Sequence, residues 1–312
     1  MKPKVLIAEK VHQVLISQLE KMGFECNISS SINQVEMLAI IENYDGIIVR
    51  GKLELDKVFF EKAKKIKFIG RPGSGLENIN LTLAKKNGIL VLNSPEGNAI
   101  AVAEHTLTML LQMIKNVHKS NLEMRNFLFE REANRSGELS GKTIAIIGYG
   151  NTGKAFEKLL SGFEVEILKY DINESVLAKN EQSTLDEIAD RADIISYHVS
   201  LTESAVNMFS SHFINKLQRK PIIINTSRGK VVLLQNLLNA FQSNKISGAC
   251  IDVFENEQFE LLNEAEQQIL KSLMQKNVIF TPHIAGWTYE ALYKMSKILG
   301  DRIYEALKKD IK

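Results

Sequence analysis

The stretch Thr143-Ile-Ala-Ile-Ile-Gly-Tyr-Gly-Asn-Thr-Gly153, with Asp171 closing the segment after it, decides how this chain folds. Thr143 to Ile147 reads as a short buried strand, and Lys154-Ala-Phe-Glu-Lys-Leu-Leu160 continues as a helix. Between them Gly148, Gly150 and Gly153 stand at G-x-G-x-x-G spacing. The first glycine permits the tight strand-to-helix turn, the second lets the backbone approach a pyrophosphate, and the third lets helix and strand pack closely. Asn151 and Thr152 lie inside the motif, at a helix N-terminus whose unpaired N–H groups suit an anion. A second strand, Val165 to Tyr170, ends on Asp171, where a carboxylate can accept hydrogen bonds from both hydroxyls of an adenosine ribose. Three glycines alone are weak evidence. Strand, helix, second strand and terminal Asp together predict a dinucleotide-binding βαβ unit. Asp171 repels a 2′-phosphate, and Ile172 and Asn173 offer no arginine to hold one, so the sequence favours NAD over NADP.

Working outward, the same alternation runs through most of the chain. Strand patterns at Lys4–Ala8, Phe24–Ile28, Gly46–Val49, Phe68–Gly70 and Ile89–Leu92 alternate with helical patterns after Val11 and around Gln34–Asn43, Asp56–Lys65 and Leu81–Asn87. Such alternation argues a parallel sheet with helices on both faces. A long helix is expected from about Asn98 to Lys119, and the polar stretch Asn121 to Ser140 reads as a linker or arm. Beyond the dinucleotide unit, Ile194–Tyr197, Pro221–Asn225, Gly248–Asp252 and Val278–Thr281 read as further strands. The last helix, roughly Thr288 to Lys309, has no sheet of its own and is expected to pack back on the first domain.

A length of 312 residues suggests two domains, here 1–97 plus 286–312 and 98–285. Apolar content of 45% and charged content of 24% suit globular cores, and a net charge of +2 implies no nucleic-acid or membrane partner. No apolar run reaches the ~20 residues of a membrane span. The run in Met1-Lys-Pro-Lys-Val-Leu-Ile-Ala8 is too short for a signal peptide and reads as a first strand. Cys26 and Cys250, far apart in apolar segments, suit a reducing cytoplasm. No Cys/His cluster points to a metal.

Ligands in such sheets bind at the carboxyl ends of the strands. Three of those ends carry candidate chemistry: Arg228 after Pro221–Asn225, Asp252 closing Gly248–Asp252 with Glu257 beyond it, and His283 after Val278–Thr281. Arg228 offers a planar fork for a substrate carboxylate and can polarise a neighbouring carbonyl. His283 can give or take a hydroxyl proton near neutral pH. Glu257, hydrogen-bonded to the imidazole, would orient it and favour its protonated form. His198, after Ile194–Tyr197, reads as cofactor lining, while His12, His105, His118 and His212 read as structural or solvated.

These segments resemble the D-isomer-specific 2-hydroxyacid dehydrogenase family, especially its phosphoglycerate dehydrogenase branch. The resemblance runs over nearly the whole chain. It is carried by Gly70-Arg-Pro-Gly-Ser-Gly-Leu-Glu-Asn78, Asn93-Ser-Pro-Glu-Gly-Asn98 with Ala103-Glu104, the glycine motif with Asp171, Asn225-Thr-Ser-Arg-Gly229, Gly248-Ala-Cys-Ile-Asp-Val-Phe254 with Glu257, and Thr281-Pro-His-Ile-Ala-Gly286. It implies a Rossmann NAD-binding domain and a flavodoxin-like substrate domain, both doubly wound parallel α/β sheets, closing over a 2-hydroxy or 2-keto acid. It implies the Arg228, Glu257, His283 triad, Asp252 near the nicotinamide amide, Thr226 on the cofactor side, and a homodimer built largely on the NAD domains.

The resemblance also implies that the loop holding Gly73, Ser74 and Gly75 grips the substrate carboxylate through backbone N–H groups, an arrangement glycines favour. Arg50 and Arg71 match positions that face the substrate in phosphoglycerate relatives, and Arg131 matches an arm residue that reaches across the dimer. Departures stand beside these matches. Gln258 replaces the proline usual after the catalytic glutamate, and Leu233-Leu234 replaces a polar pair at a helix start. Trp287 occupies a small-residue position next to His283, where it would narrow the pocket. The resemblance stops at Lys312, without the regulatory domain of some serine-pathway relatives. Phosphoglycerate with phosphohydroxypyruvate is the leading expected pair, and hydroxypyruvate or glyoxylate follows. A reading from another class, an NAD(H)-sensing dimeric corepressor-like scaffold on the same fold, stays open because fold does not dictate function.

Overall fold

The computed structural model describes residues 2–178 and 180–308, and the chain divides into two compact units, Met1–Ala99 with Trp287–Lys312, and Ile100–Gly286. The two boundaries fall one or two residues beyond the expected 97/98 and 285/286. In chain order the described residues form β1 (Lys4–Ile7), α1 (Gln13–Lys21), β2 (Glu25–Ile28), α2 (Gln34–Ile40), β3 (Gly46–Ile48), α3 (Lys57–Lys62), β4 (Phe68–Arg71), α4 (Leu81–Lys86) and β5 (Leu90–Asn93). Then come α5 (Ala99–Ile114), α6 (Val117–Arg125), β6 (Thr143–Ile147), α7 (Asn151–Leu160), β7 (Glu166–Tyr170), α8 (Leu185–Arg191), β8 (Ile194–Tyr197) and α9 (Ser211–Lys216). The chain continues through β9 (Ile222–Asn225), α10 (Leu234–Gln242), β10 (Gly248–Ile251), α11 (Glu264–Met274), β11 (Val278–Phe280) and α12 (Tyr289–Leu307). Lys309, expected as the end of the last helix, lies outside the described residues.

Both sheets are wholly parallel. The first has the order β2-β1-β3-β4-β5, the flavodoxin-like arrangement. Its two faces bury different side chains by the period of two. Leu6, Ile47 and Ile69 meet Met37 and Phe59 on one side, while Val5, Ile7 and Ile48 meet Leu15, Leu19, Leu299 and Ile303 on the other. Leu299 and Ile303 belong to α12, which thus completes a core begun nearly three hundred residues earlier. The second sheet has the order β11-β10-β9-β8-β6-β7, so growth reverses between β6 and β8. That switch point opens a crevice at the carboxyl ends of the strands, where such folds bind ligands. Beyond β7 a single parallel bridge, Lys169 to Gln182, stands in for a further outer strand. All five residues of β6 are buried, as a central strand covered on both faces requires.

The expected helix from Asn98 to Lys119 is a correction. Asn98 ends a 3-10 turn, α5 stops at Ile114, and α6 starts afresh at Val117. Between them Asn116 adopts φ 53°, a left-handed conformation that asparagine tolerates and that a helix cannot pass through. The expected linker of 121–140 accordingly holds the end of α6 and a 3-10 turn at Glu132–Asn134. At α10 the N-cap residue Leu233 has no side-chain acceptor, and Glu255 supplies one from the loop after β10, 2.7 Å from the Leu234 amide.

Candidate active site

The dinucleotide loop is built from close approaches. Gly148 has φ +93°, and a Cβ there would sit 2.6 Å from the His198 carbonyl carbon, so both conformation and space demand glycine. Gly153 packs against the Gly148 carbonyl, which closes α7 onto β6. Around Gly150 nothing lies within 4 Å of a would-be Cβ, and α7 starts there with no side-chain cap. The first amides of α7, at Asn151 and Thr152, have no intrahelical acceptor, as at every helix start. This open cradle fits a pyrophosphate. Asp171 is held in place from two sides, its Oδ2 accepting from Tyr149 N at 2.7 Å and its Oδ1 from Asn173 N at 2.8 Å. Its remaining lone pairs fit a ribose diol.

His198 lines the switch point between β6 and β8, its Nε2 2.8 Å from Ser196 Oγ and its ring on Phe156 at 5.3 Å. Burial pulls its pKa from 6.5 to about 3, so the ring is neutral at physiological pH. Its Nδ1 is buried with no hydrogen-bond partner among the described residues, a polar atom that suits a cofactor oxygen or hydroxyl. Sequence reasoning did not anticipate what steadies the motif's middle residue. Tyr149 bonds Glu157 through its hydroxyl and carries Lys169 on its ring at 4.9 Å, while Lys169 pairs with Glu157 at 2.7 Å.

Adjacent strand ends assemble the reactive groups. His283 Nδ1 lies 2.8 Å from Glu257 Oε2, and both side chains are half exposed. Burial raises the Glu257 pKa, but the His283 hydrogen bond and charge, the Phe254 amide and the Arg228 cation outweigh it and hold it below the usual range. Glu257 is therefore an acceptor at neutral pH, so the proton between the pair belongs to His283 Nδ1. At the end of β9, Asn225 Oδ1 accepts from the amide and hydroxyl of Ser227, and Asn225 Nδ2 donates to the Arg228 carbonyl. This Asx-type turn fixes the backbone from which Arg228 projects, and Arg228 Nη1 donates to the Ser227 carbonyl at 2.8 Å. Thr226, expected on the cofactor side, is buried, its hydroxyl 3.0 Å from that of Thr106 on α5.

Asp252 was expected beside the nicotinamide amide. Its side chain is fully buried and committed to the chain itself: Oδ1 accepts from Thr281 Oγ1 at 2.6 Å and from Ile284 N at 2.9 Å, and Oδ2 accepts from Ala285 N at 2.9 Å. His283 between them has φ +53°, an uncommon conformation for a side chain of its size, and its amide donates to the Asp252 carbonyl at 2.7 Å. Asp252 thus braces the loop that presents the histidine.

The substrate-side candidates of the first unit gather at the ends of β1, β3 and β4. Glu9, nearly buried, accepts from three consecutive amides, Arg50, Gly51 and Lys52, at 2.7, 2.9 and 3.1 Å. The sequence held no signal for this role, because the partners are some forty residues away. The Arg50 guanidinium lies 4.6 Å over the Trp287 ring. Trp287, expected to narrow the pocket, begins the returning segment of the first unit, is 69% exposed and carries Arg50 on its ring. Arg71 extends past Gly73 toward Gly51. In the loop expected to grip a carboxylate through Gly73, Ser74 and Gly75, the Gly73 amide donates to Ser94 Oγ at 3.2 Å. Arg131 lies in the second unit, exposed at the 3-10 turn of the arm, and is not brought together with Arg50 and Arg71 within one unit.

A doubly wound sheet with a glycine-rich cradle, a ribose-ready aspartate and a carboxylate–histidine pair beside an arginine defines a dinucleotide-dependent acid–base site as a class. Residues 107–285 match the model of the D-isomer specific 2-hydroxyacid dehydrogenase NAD binding domain. The chain is 29% identical to D-3-phosphoglycerate dehydrogenase of Archaeoglobus fulgidus over 98% of its own length and 57% of that protein's, and 32% identical to hydroxypyruvate reductase of Thermotoga maritima over 89% of its length and 90% of that protein's. The crystal structure of D-lactate dehydrogenase from Aquifex aeolicus complexed with NAD and lactic acid superposes with a TM-score of 0.83 at 26% identity, covering 99% of this chain and 96% of that one. The chain belongs to the D-isomer specific 2-hydroxyacid dehydrogenase family. It spans little more than half the length of the phosphoglycerate dehydrogenases it matches first.

Proposed function

We propose that this protein is an NAD-dependent oxidoreductase interconverting a D-2-hydroxy acid and its 2-keto acid. The observation that carries this reading is the Glu257–His283 pair, 2.8 Å apart, on the strand ends next to Arg228 and in the same unit as the dinucleotide loop. The nicotinamide, when bound, supplies or accepts the hydride. Arg228 anchors the substrate carboxylate by its fork and polarises the carbonyl. His283 Nε2 gives the proton in reduction and takes it in oxidation, and Glu257 holds the ring. Asp171, ready for a 2′-hydroxyl and hostile to a 2′-phosphate, favours NAD. The second unit is then the NAD-binding domain and the first the substrate-binding domain. The two free thiols, and a burial that raises the Cys26 pKa to about 11, suit the reducing cytoplasm.

For the substrate, Arg50, stacked on Trp287, and Arg71 favour phosphohydroxypyruvate, with hydroxypyruvate or glyoxylate as the second reading that the Thermotoga relative supports. NADH oxidation with phosphohydroxypyruvate, hydroxypyruvate, glyoxylate, pyruvate and 2-oxoglutarate tests both. Arg50→Ala is expected to raise KM for phosphohydroxypyruvate about tenfold, the loss of roughly 1.4 kcal/mol from a charge-assisted contact, and to leave glyoxylate unchanged. Equal effects on both acids would remove the phosphate reading and keep the dehydrogenase. No turnover with any acid, with NADH still quenching the single tryptophan, would favour the NAD(H)-sensing scaffold.

The assembly we propose is a homodimer, since α6 and the loop after it expose Leu122, Met124, Phe127, Leu128 and Phe129, with Phe127 96% accessible. A contiguous apolar strip of this kind marks a protein interface. Phe129→Asp is expected to halve the mass measured by analytical ultracentrifugation. A wild-type protein that sediments as a monomer would rule the dimer out.

A further inference from the structure

We propose that His105 on α5 is a positioning residue for the reaction, acting through Thr281 and Asp252 to hold the loop that presents His283. The proposal rests on reading His283 as the proton-transfer group. His105 Nε2 lies 3.0 Å from Thr281 Oγ1 and 3.6 Å from Asp252 Oδ1. Thr281 has a single hydroxyl proton, and the carboxylate oxygen at 2.6 Å is a far better acceptor than the Met109 sulfur at 3.8 Å. With that proton spent on Asp252, Thr281 Oγ1 can only accept from His105. The ring is therefore the Nε2–H tautomer, and the chain of donors runs His105, Thr281, Asp252.

Asp252 passes this restraint on. It accepts the amides of Ile284 and Ala285, and its own carbonyl accepts the amide of His283. These bonds bracket a histidine held at φ +53°. A non-glycine residue in that region persists only where its surroundings over-determine it. Without the His105 N–H, Thr281 Oγ1 loses the donor that orients it toward Asp252, and the bracket loosens. Burial lowers the His105 pKa and Asp252 raises it, with burial the larger, so the ring serves as a neutral donor. One further polar bond, between the Thr226 and Thr106 hydroxyls, ties the neighbouring turn of α5 to the end of β9, and Thr106 is itself held by its bond to the Val102 carbonyl within the helix. The helix thereby braces two of the three strand ends that carry the chemistry.

The test compares His105→Leu, His105→Gln and His283→Ala in the full chain. Glutamine keeps an N–H near the Nε2 position; leucine keeps the volume and loses the donor. His105→Leu is expected to lower kcat ten- to a hundredfold, the scale of a misplacement of about 1 Å, with the NADH dissociation constant and Tm changed little. His105→Gln is expected to recover most of kcat. The primary isotope effect with 4-deuterated NADH should rise in His105→Leu, because a displaced His283 slows the chemical step. Independently of turnover, an imidazole 15N–1H spectrum should show His105 as the Nε2–H tautomer. A kcat within twofold of wild type in His105→Leu, an Nδ1–H tautomer, or parallel losses of Tm and activity that glutamine does not rescue would each overturn the proposal. Activity surviving in His283→Ala would instead overturn the proton-transfer reading on which it rests.

Discussion

His283→Ala is expected to lower kcat for keto-acid reduction by about 10²–10⁴-fold, the range that a positioned general acid contributes. Reduction places negative charge on the carbonyl oxygen as hydride arrives, and a proton must reach it in the same event. The Nε2 of His283 is free of the Glu257 bond and sits on a braced strand end. Glu257→Gln should fall between wild type and His283→Ala, since an amide still bonds the ring but supplies no charge. KM for the keto acid should change far less than kcat in His283→Ala, because the lost interaction is made in the transition state. The measurement is steady-state NADH oxidation with the best acid of the panel. A His283→Ala protein within tenfold of wild-type kcat would end the acid–base reading.

Arg228→Ala is the second large effect, expected at about 10²–10³-fold in kcat/KM, the scale of losing a preorganised charge aimed at a developing oxyanion. The guanidinium is one group asked for two tasks, fixing the carboxylate bidentately and polarising the carbonyl. Arg228→Lys tells them apart. A lysine keeps the charge and loses the planar fork, so it should restore only part of the loss, mostly in kcat rather than in KM. Either change removes the Nη1 bond to the Ser227 carbonyl, while the Asn225 bonds to the Ser227 amide and hydroxyl and to the Arg228 carbonyl involve no Arg228 side-chain atom. A fully active Arg228→Lys would mean that the fork has no role.

Much of this arrangement was legible beforehand because its signals are local. The G-x-G-x-x-G spacing, the aspartate at the end of β7 and an arginine, a glutamate and a histidine past three successive strands are each readable from the few residues around one strand end. The pairing of Glu257 with His283 is such a case, since adjacent parallel strands bring successive strand ends together. What stayed hidden depends on partners remote in the chain. Glu9 under the Arg50 loop, Trp287 under the Arg50 guanidinium and His105 behind Thr281 join positions 41 to 237 residues apart, and no periodicity encodes such a meeting. The broken helix at Asn116 failed for a different reason. The apolar period continues across it, and one left-handed residue, not a change of composition, ends α5.

The sequence by itself determined the class of fold, the glycine-rich loop and which polar side chains stand at the strand ends, because hydrophobic period, glycine sterics and strand-end position act over a few residues. Only the tertiary structure decided how those side chains are held: Asp252 is buried among the amides of its own loop, Glu257 is half exposed against His283, and His105 stands against Thr281. Hydrogen-bond bookkeeping is a property of the packed molecule. A proton on Thr281 can be assigned only when Asp252, Met109 and His105 all stand around it.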